Sequence, residues 1–147
     1  MSDRETIKRA VKQIGNIEFK GLVRKTGVLK KAVGDSPTDV VGFDYLIYES
    51  DGTCYSFYSA NAPLIGMSAP CPIDYPLGLE TFGEYKIDYK KAINIFHSGN
   101  WGSEFTSIAL SKPLVFPETS EPYWYFQSTL GVQVLIGANT GKVYLPR

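Results

Sequence analysis

Apolar and polar positions alternate most clearly in residues 121–144, and the pattern predicts a β-hairpin followed by a third strand. Aromatic and β-branched side chains fill two runs, residues 123–128 and 132–136, and Leu130-Gly131 suits the tight connection between them. Residues 139–141, with the sequence Asn-Thr-Gly, predict a second turn. We expect this unit to belong to an antiparallel sheet.

The first fifteen residues predict a short amphipathic helix. Ser2 and Glu5 have the spacing of a capping box, in which each side chain contacts the other residue at the helix start. Apolar side chains then recur at the spacing of one helix face: Ile7, Ala10, Val11 and Ile14. Gly15 suits the left-handed conformation that ends many helices. We therefore expect this helix to pack on a sheet.

The next part of the chain is less regular. Residues 17–23 alternate in polarity and predict a strand that can bulge at Gly21. Residues 25–39 contain glycines, Ser36-Pro37 and scattered lysines, which favour an irregular or mobile connection. Residues 27–33 could instead continue the strand beyond a turn.

Residues 40–59 predict a second hairpin, because Asp51-Gly52 is favoured in type I′ turns and lies between two aromatic runs. If Ser50 faces Thr53, the register follows along both strands. The expected pairs are Leu46 with Phe57 and Tyr48 with Tyr55 on one face, and Tyr45 with Tyr58 and Glu49 with Cys54 on the other. Both faces are rich in rings, so we expect both to be partly covered.

Residues 60–79 contain four prolines, Pro63, Pro70, Pro72 and Pro76, which exclude a central strand or a regular helix. The sequence therefore predicts a long, semi-rigid loop. Long loops are uncommon in compact domains, and many of them serve a function. The alternative is a linker that covers a sheet edge.

Asp88 suits the cap of a second helix over residues 89–98, which Gly99 would end. The expected buried stripe consists of Tyr89, Ala92, Ile93 and Phe96. A strand is predicted next by Trp101, Phe105 and residues 108–110. It leads into residues 112–117, a proline-bounded segment that suits a sheet edge or a crossover.

These elements predict an α+β fold, in which short helices pack on one face of an antiparallel sheet. Residues 1–147 are long enough for a single domain with one well-filled core. The halves also share an order of helix, strand, irregular passage and hairpin. Residues 4–59 and 88–145 can therefore also be interpreted as two diverged α-β-β-β units, joined by the Pro-rich residues 60–80.

Charge is balanced overall, with 15 basic and 15 acidic side chains, but it is unevenly distributed. Residues 1–40 hold nine basic and five acidic side chains, and residues 41–90 hold two and seven. The basic residues Arg24, Lys25, Lys30 and Lys31 lack interleaved aromatic residues, so they are typical of a solvated face and not of a nucleic-acid groove. The sequence predicts no nucleic-acid partner.

The N-terminus is charged from its third residue, and no apolar run approaches the length of a membrane span. We therefore expect neither a signal peptide nor a membrane partner. Cys54 and Cys71 are too few for a disulfide scaffold. A reduced, cytoplasmic protein is the simplest interpretation.

Groups suited to catalysis are scarce. His97 lies at the end of a predicted helix, where an imidazolium interacts favourably with the last carbonyls. Nothing adjacent to Cys71 would lower its thiol pKa, so we assign no catalytic residue. The acidic residues Asp74, Glu80, Glu84 and Asp88 match no calcium loop and favour a solvated face. We predict no metal site, and without a phosphate loop or dinucleotide motif we predict no cofactor.

The second half carries a resemblance to known families. Its residues are Trp101, the run 110–114, the run 121–124 and the ending 136–143. Residues 85–147 resemble PepSY-like and cystatin-like small domains, in which a helix packs across an antiparallel sheet. That resemblance implies restraint of peptidases or binding of partners, generally by exported or membrane-attached proteins. The ending also resembles small immunity proteins that neutralise a toxin, which suits a cytoplasmic binder. Neither resemblance implies catalytic residues.

The first functional hypothesis is a binding or inhibitory module that holds a protein partner with an aromatic sheet face and the Pro-rich loop. The candidate binding residues are Met67, Cys71 and the tyrosines that we expect as candidates for exposed rings, namely Tyr75, Tyr55, Tyr58, Tyr123 and Tyr125. The second hypothesis is a small-ligand or enzymatic domain with a pocket between helix and sheet, where Cys71 or His97 acts. The third is a homo-oligomer formed through an edge strand.

Overall fold

The computed structural model describes residues 2–15, 19–114 and 121–146. In these residues the chain forms two α helices, one 3-10 turn at Pro37–Asp39, and nine strands. In chain order the helices and strands are α1 (Asp3–Val11), β1 (Phe19–Leu29), β2 (Val40–Glu49), β3 (Cys54–Ala60), β4 (Cys71–Ile73), β5 (Leu79–Glu80), α2 (Tyr89–His97), β6 (Phe105–Pro113), β7 (Tyr123–Ser128), β8 (Gln133–Gly137) and β9 (Val143–Tyr144).

One antiparallel sheet dominates the molecule, and its strand order is β4-β3-β2-β1-β6-β7-β8-β9. The short strand β5 pairs with the end of β6. The predicted α+β class with an antiparallel sheet is confirmed. β6 lies between β1 and β7 as far as Ser111, whereas Lys112 and Pro113 pair on one side, with β5, as at the expected sheet edge. Residues 115–117 of that prediction lie outside the described residues.

Both helices begin at the predicted caps. The Ser2 Oγ atom accepts a hydrogen bond from the Glu5 amide at 3.2 Å, and the Asp88 carboxylate accepts one from the Lys91 amide at 2.9 Å. The buried helix residues are Thr6, Ile7 and Ala10 in α1 and Ala92, Ile93 and Phe96 in α2. The apolar ones join one core cluster with the sheet, so both helices cover the same face.

Aromatic rings fill the space between α2 and the sheet. Phe96 stacks on Phe126 with ring centroids 4.7 Å apart, and it meets the Phe105 ring edge-on at 5.7 Å. Trp124 is fully buried in the same layer, and its indole Nε1 donates to the Ile87 carbonyl at 2.8 Å. Ring pairs of this geometry contribute beyond their buried area.

β1 is longer than expected and contains no turn. It runs without a turn from Phe19 to Leu29, so the irregular connection predicted from residue 25 begins only after Leu29. The predicted bulge at Gly21 is confirmed by a register shift between Phe19 and Gly21. A Cβ atom at Gly21 would lie 2.7 Å from the Thr81 Cβ, which explains the glycine. Residues 17–18 lie outside the described residues.

The predicted register of the β2–β3 hairpin is wrong by one residue. The Glu49 amide donates to the Thr53 carbonyl at 3.1 Å, which leaves a three-residue loop, Ser50 to Gly52. Gly52 has φ +82° but Asp51 does not have a positive φ, whereas a type I′ turn requires both. The loop is therefore a type I turn closed by a glycine in the left-handed region.

The shift places each β3 side chain on the other face relative to the β2 side chains. Tyr45 now pairs with Phe57, and their stacked rings lie 4.9 Å apart on the helix-covered face. Leu46 and Cys54 instead pack with Val23 on the opposite face. Both faces are covered near this hairpin, as expected from their rings.

The C-terminal unit agrees with the prediction. β7 and β8 form the expected hairpin, and β9 pairs with β8 after the second turn. Gly131 and Gly141 have φ +84° and +76°, the conformation that glycine adopts without a steric penalty.

Candidate functional site

Residues 61–78, which we call the outer segment, form the edge of the sheet beside β3. The Ala60 amide donates to the Gly66 carbonyl at 2.8 Å, and the Ser68 amide donates to the Tyr58 carbonyl at 2.9 Å. Further along, β4 pairs with β3, and Cys71 lies opposite Ser56. The prolines do exclude a central strand, but the predicted loop contains this short edge strand. The outer segment therefore covers a sheet edge, as in the alternative interpretation of this loop.

The outer segment exposes an unusual amount of apolar surface. Ile65 and Leu77 are each 98% exposed. Three more large apolar side chains in the segment are also exposed, namely Leu64, Ile73 and Tyr75. Asp74 is the single charged residue among residues 61–78. Apolar side chains with few charges are typical of the centre of a protein interface.

These side chains lie in two groups along the edge. Leu64 and Ile65 follow the end of β3, whereas Ile73 lies opposite Cys54 at the start of β3. At the strand rise of about 3.3 Å per residue, the groups are about 20 Å apart. The outer segment is thus a strip and not a pocket.

Tyr75 anchors the second group to the fold. Its hydroxyl donates to the Leu79 carbonyl at 3.0 Å, and its ring meets the Tyr48 ring edge-on at 5.8 Å. Burial raises the pKa of Tyr75 above its ordinary value. The Leu114 amide donates to the Gly78 carbonyl, so exposed Leu114 extends this apolar group.

The other candidate binding residues are more enclosed. Met67 is half-buried against the core, and its sulfur lies 3.9 Å from the Gln13 Nε2 atom. The Tyr55 hydroxyl donates to the Asp51 carboxylate at 2.8 Å, and the Tyr58 hydroxyl donates to the Val41 carbonyl at 3.3 Å. Both tyrosines are half-buried.

On β7 the candidates differ in exposure. Tyr123 is fully buried and packs edge-on against Tyr144 with centroids 5.7 Å apart, so the expectation that its ring is exposed is wrong. Tyr125 is half-buried, and burial raises its hydroxyl pKa. β7 is four strand spacings of about 4.8 Å from β3, or about 19 Å. The structure therefore does not bring Tyr58 and Tyr125 into one patch.

Sequence reasoning assigned only three residues within the outer segment, Met67, Cys71 and Tyr75. It missed the exposed aliphatic side chains of this segment, Leu64, Ile65, Ile73 and Leu77. The available signal was a run of apolar residues almost without charge in a Pro-rich stretch that cannot enter a core helix.

The cysteines and the histidine lie apart. Cys71 is exposed on edge strand β4, and Cys54 is buried, which raises its thiol pKa. His97 ends α2, and its Nε2 atom lies 3.0 Å from the Ser103 carbonyl oxygen, just before β6. β4 and β6 are four strands apart, or about 19 Å. The structure therefore does not bring Cys71 within hydrogen-bonding reach of His97.

The acidic residues between Asp74 and Asp88 have separate surroundings. Asp88 caps α2, and Glu80 lies 3.6 Å from the Lys112 Nζ atom. Within residues 2–15, 19–114 and 121–146, no three His, Cys, Asp or Glu side chains are grouped to hold a metal ion. Neither α helix of this part of the chain is long and apolar enough to cross a membrane.

A buried polar cluster ties α1 to the sheet. The Lys25 Nζ atom lies 2.9 Å from the Asp3 carboxylate and donates to the Tyr85 hydroxyl at 3.2 Å. The Tyr45 hydroxyl donates to Asp3 at 3.0 Å, and the Tyr85 hydroxyl also donates to Asp3. Lys25 Nζ lies 4.2 Å from the Phe43 ring centroid, a favourable cation–π distance. The expectation that Lys25 belongs to a solvated basic face is therefore wrong.

Glu49 is a second buried ionisable group. It is fully buried at the end of β2, and neither carboxylate oxygen has a hydrogen-bond partner among the described residues. Burial, with a smaller contribution from the Asp51 charge, raises its pKa to about 7. The Glu49 carboxyl therefore gains or loses its proton near neutral pH while it is buried in the fold.

The chain matches no protein-family model, and searches of curated proteins and of solved structures found no match to it.

Proposed function

We propose that this protein is a binding or inhibitory module, without catalysis of its own, that holds a protein partner through the outer segment. The observation that carries the proposal is the nearly complete exposure of Ile65 and Leu77 within eighteen residues that contain one charge. Exposed apolar strips of this kind mark interaction sites. Burial of both side chains would contribute about 3–6 kcal/mol to association before its costs.

The arrangement of the reactive groups also supports this proposal. A nucleophile needs an adjacent base, but Cys71 lies on the edge strand β4, whereas His97 ends α2 near the start of β6. The space between α2 and the sheet is filled by rings such as Phe96 and Phe126. Recognition through the surface therefore accounts for the described residues better than chemistry in a pocket.

An inhibitory role is the finer part of the proposal. It rests on the resemblance of residues 136–143 to small immunity proteins and of residues 85–147 to PepSY-like domains. A cytoplasmic location belongs to the same proposal, because Cys54 and Cys71 are both free thiols and a reducing compartment keeps them so.

The proposal is tested by affinity capture from a native lysate with matched variants. The test variant combines Ile65→Ser and Leu77→Ser, which leave the core unchanged because both side chains are almost fully exposed. The control is Leu145→Ser, which removes a 52% exposed leucine next to β9 at the other edge.

We expect a protein that the wild type and the control variant capture equally and that the double variant loses. Added back in pure form, that protein should protect residues 61–78 from hydrogen exchange. Equal capture by all three proteins, or protection confined to other residues, contradicts the proposal.

A further inference from the structure

The strands beside the outer segment, β2, β3 and β4, carry no basic side chain. Residues 32–85 contain eight acidic side chains and no lysine, arginine or histidine. They are Asp35, Asp39, Asp44, Glu49, Asp51, Asp74, Glu80 and Glu84. This stretch supplies β2, β3, β4 and β5, and β4-β3-β2 form one side of the sheet. Glu80 lies instead near Lys112 of β6, so the charge is separated in space only at β2, β3 and β4.

Several of these carboxylates border the apolar strip. Asp74 follows Ile73 directly and is exposed. Asp51 is exposed in the loop before β3, at the strand end where Cys54 pairs with Ile73. Asp44 is exposed on β2, opposite Tyr58, whose amide donates to Ser68 of the outer segment at 2.8 Å. The strip thus has carboxylates beside it along β2 and at the β2–β3 loop, whereas at Met67 it meets Gln13 at the end of α1.

We infer that the partner of the outer segment is a basic protein surface, in which apolar side chains are bordered by lysine or arginine. This inference rests on the proposed function and specifies the partner's chemistry. Complementary charge speeds association and excludes partners of the wrong sign. A nucleic acid or an anionic membrane would meet the carboxylates of this side with like charge.

Two features argue for docking by side chains onto this strip and against addition of a strand to β4. β4 has only three residues, and its central residue, Pro72, lacks a backbone donor. Short edge strands and prolines are devices that prevent strand addition. The exposed side chains of Ile73 and Tyr75 remain available to a partner.

A second copy of this chain fits the strip less well. Two copies that met through their outer segments would place Asp74, and the carboxylates that border the strip, near their own counterparts. Like charges in contact are costly, and residues 32–85 offer no basic group to offset them. A partner of opposite charge does not carry this penalty.

Two amphipathic helical peptides serve as probes. Each has one leucine stripe, which is bordered by lysine in the first peptide and by glutamate in the second. The full chain is titrated with each peptide, and amide NMR shifts locate the contact. We expect the lysine peptide to shift residues 61–78 and to bind at least tenfold more tightly than the glutamate peptide.

Charge variants then test the border directly. Asp44→Asn and Asp74→Asn together should weaken the binding of the lysine peptide by about 2- to 30-fold, at about 0.2–1 kcal/mol for each exposed pair. Glu104→Gln is the matched control, since Glu104 is exposed just before β6, and it should have no effect. Raising the salt from about 0.1 M to about 1 M, which shortens the Debye length from about 10 Å to about 3 Å, should also weaken binding.

The outcomes separate the two proposals. Equal binding of both peptides at residues 61–78 overturns the basic preference and leaves the docking role in place. Shifts outside the outer segment, or no binding of either peptide, overturn the basic preference, and the variant captures described above decide the docking role independently. If residues 61–78 shift as the protein concentration rises, without any peptide, then a second copy of the chain is the occupant. This result also overturns the basic preference.

Discussion

Removal of the Asp3 carboxylate should destabilise the fold more than removal of the lysine it contacts. Asp3 accepts hydrogen bonds from Lys25, Tyr45 and Tyr85, and the Lys25 side chain is only 6% exposed. In Asp3→Ala the ammonium group stays buried without its counter-charge. In Lys25→Met the carboxylate stays 24% exposed in the first turn of α1, where the helix dipole favours it.

The magnitudes follow from this asymmetry. Loss of one partner from a buried ion pair costs about 3–5 kcal/mol. Because Asp3 is partly exposed, water can reach the vacated site, and we expect about 3 kcal/mol for Asp3→Ala. Lys25→Met keeps an apolar stem against the Phe43 ring, so its cost should be about 1 kcal/mol.

Urea unfolding followed by tryptophan fluorescence measures both values, since the Trp124 ring lies 5.7 Å from Lys25 Nζ. The pH dependence gives a second readout. Burial lowers the pKa of Lys25 from its ordinary 10.5, while the Asp3 charge opposes this. At this site the unfolded chain therefore binds more protons, so the contribution of Lys25 to stability rises with pH up to about 10.5. Asp3→Ala should make that rise steeper. A larger loss in Lys25→Met than in Asp3→Ala, or a flatter pH profile in Asp3→Ala, would refute the reasoning.

Three further substitutions, one of them with a control variant, test other parts of the fold by urea unfolding. Burial raises the pKa of Glu49 from 4.5 to about 7, so the folded state holds this proton more tightly than the unfolded state. As the pH rises from about 4.5 to about 7, wild-type stability should therefore fall. Glu49→Gln should remove this fall, and an unchanged pH profile in the variant would contradict the expectation. Gly52→Ala forces alanine to φ +82° and should cost about 1 kcal/mol, whereas Gly83→Ala, in open space at an ordinary φ, should cost less than half as much. Glu121→Ala removes the acceptor of the Asn139 and Thr140 amides at 2.8 and 3.0 Å and should cost about 2–4 kcal/mol; a loss below 1 kcal/mol would show that the turn holds itself.

Features that depend on neighbours in sequence were predictable. Ser2 and Asp88 cap helices because each side chain accepts a hydrogen bond from an amide only three residues ahead in sequence. The strands of the C-terminal unit followed from alternation and from Gly131 and Gly141. The interpretation of residues 4–59 and 88–145 as two related units stays a prediction.

Features that depend on distant contacts were not predictable. Asp51-Gly52 suits two loop types, and only the Glu49–Thr53 pairing selects the longer one. The burial of Lys25 depends on Asp3 and Tyr85, which lie 22 and 60 residues away in sequence. No local pattern identifies a lysine that is enclosed in this way.

The candidate site was predicted only in outline. Its location in the Pro-rich stretch followed from composition, and Tyr75 was named correctly as an exposed ring. The burial of the Tyr123 ring was not predicted, because it depends on contact with Tyr144 across the sheet. The exposure of Ile65 and Leu77 depends on the path of the outer segment along β3, which the sequence does not specify.

The most direct test of the docking role is site-specific photo-crosslinking in living cells. A photoreactive amino acid replaces Leu77 in one variant and Leu145, at the opposite edge, in another. We expect a discrete cross-linked protein for the probe at position 77 and none for the probe at position 145. Equal cross-linking at both positions, or cross-linking at position 145 alone, would contradict the assignment of the outer segment as the partner-binding surface.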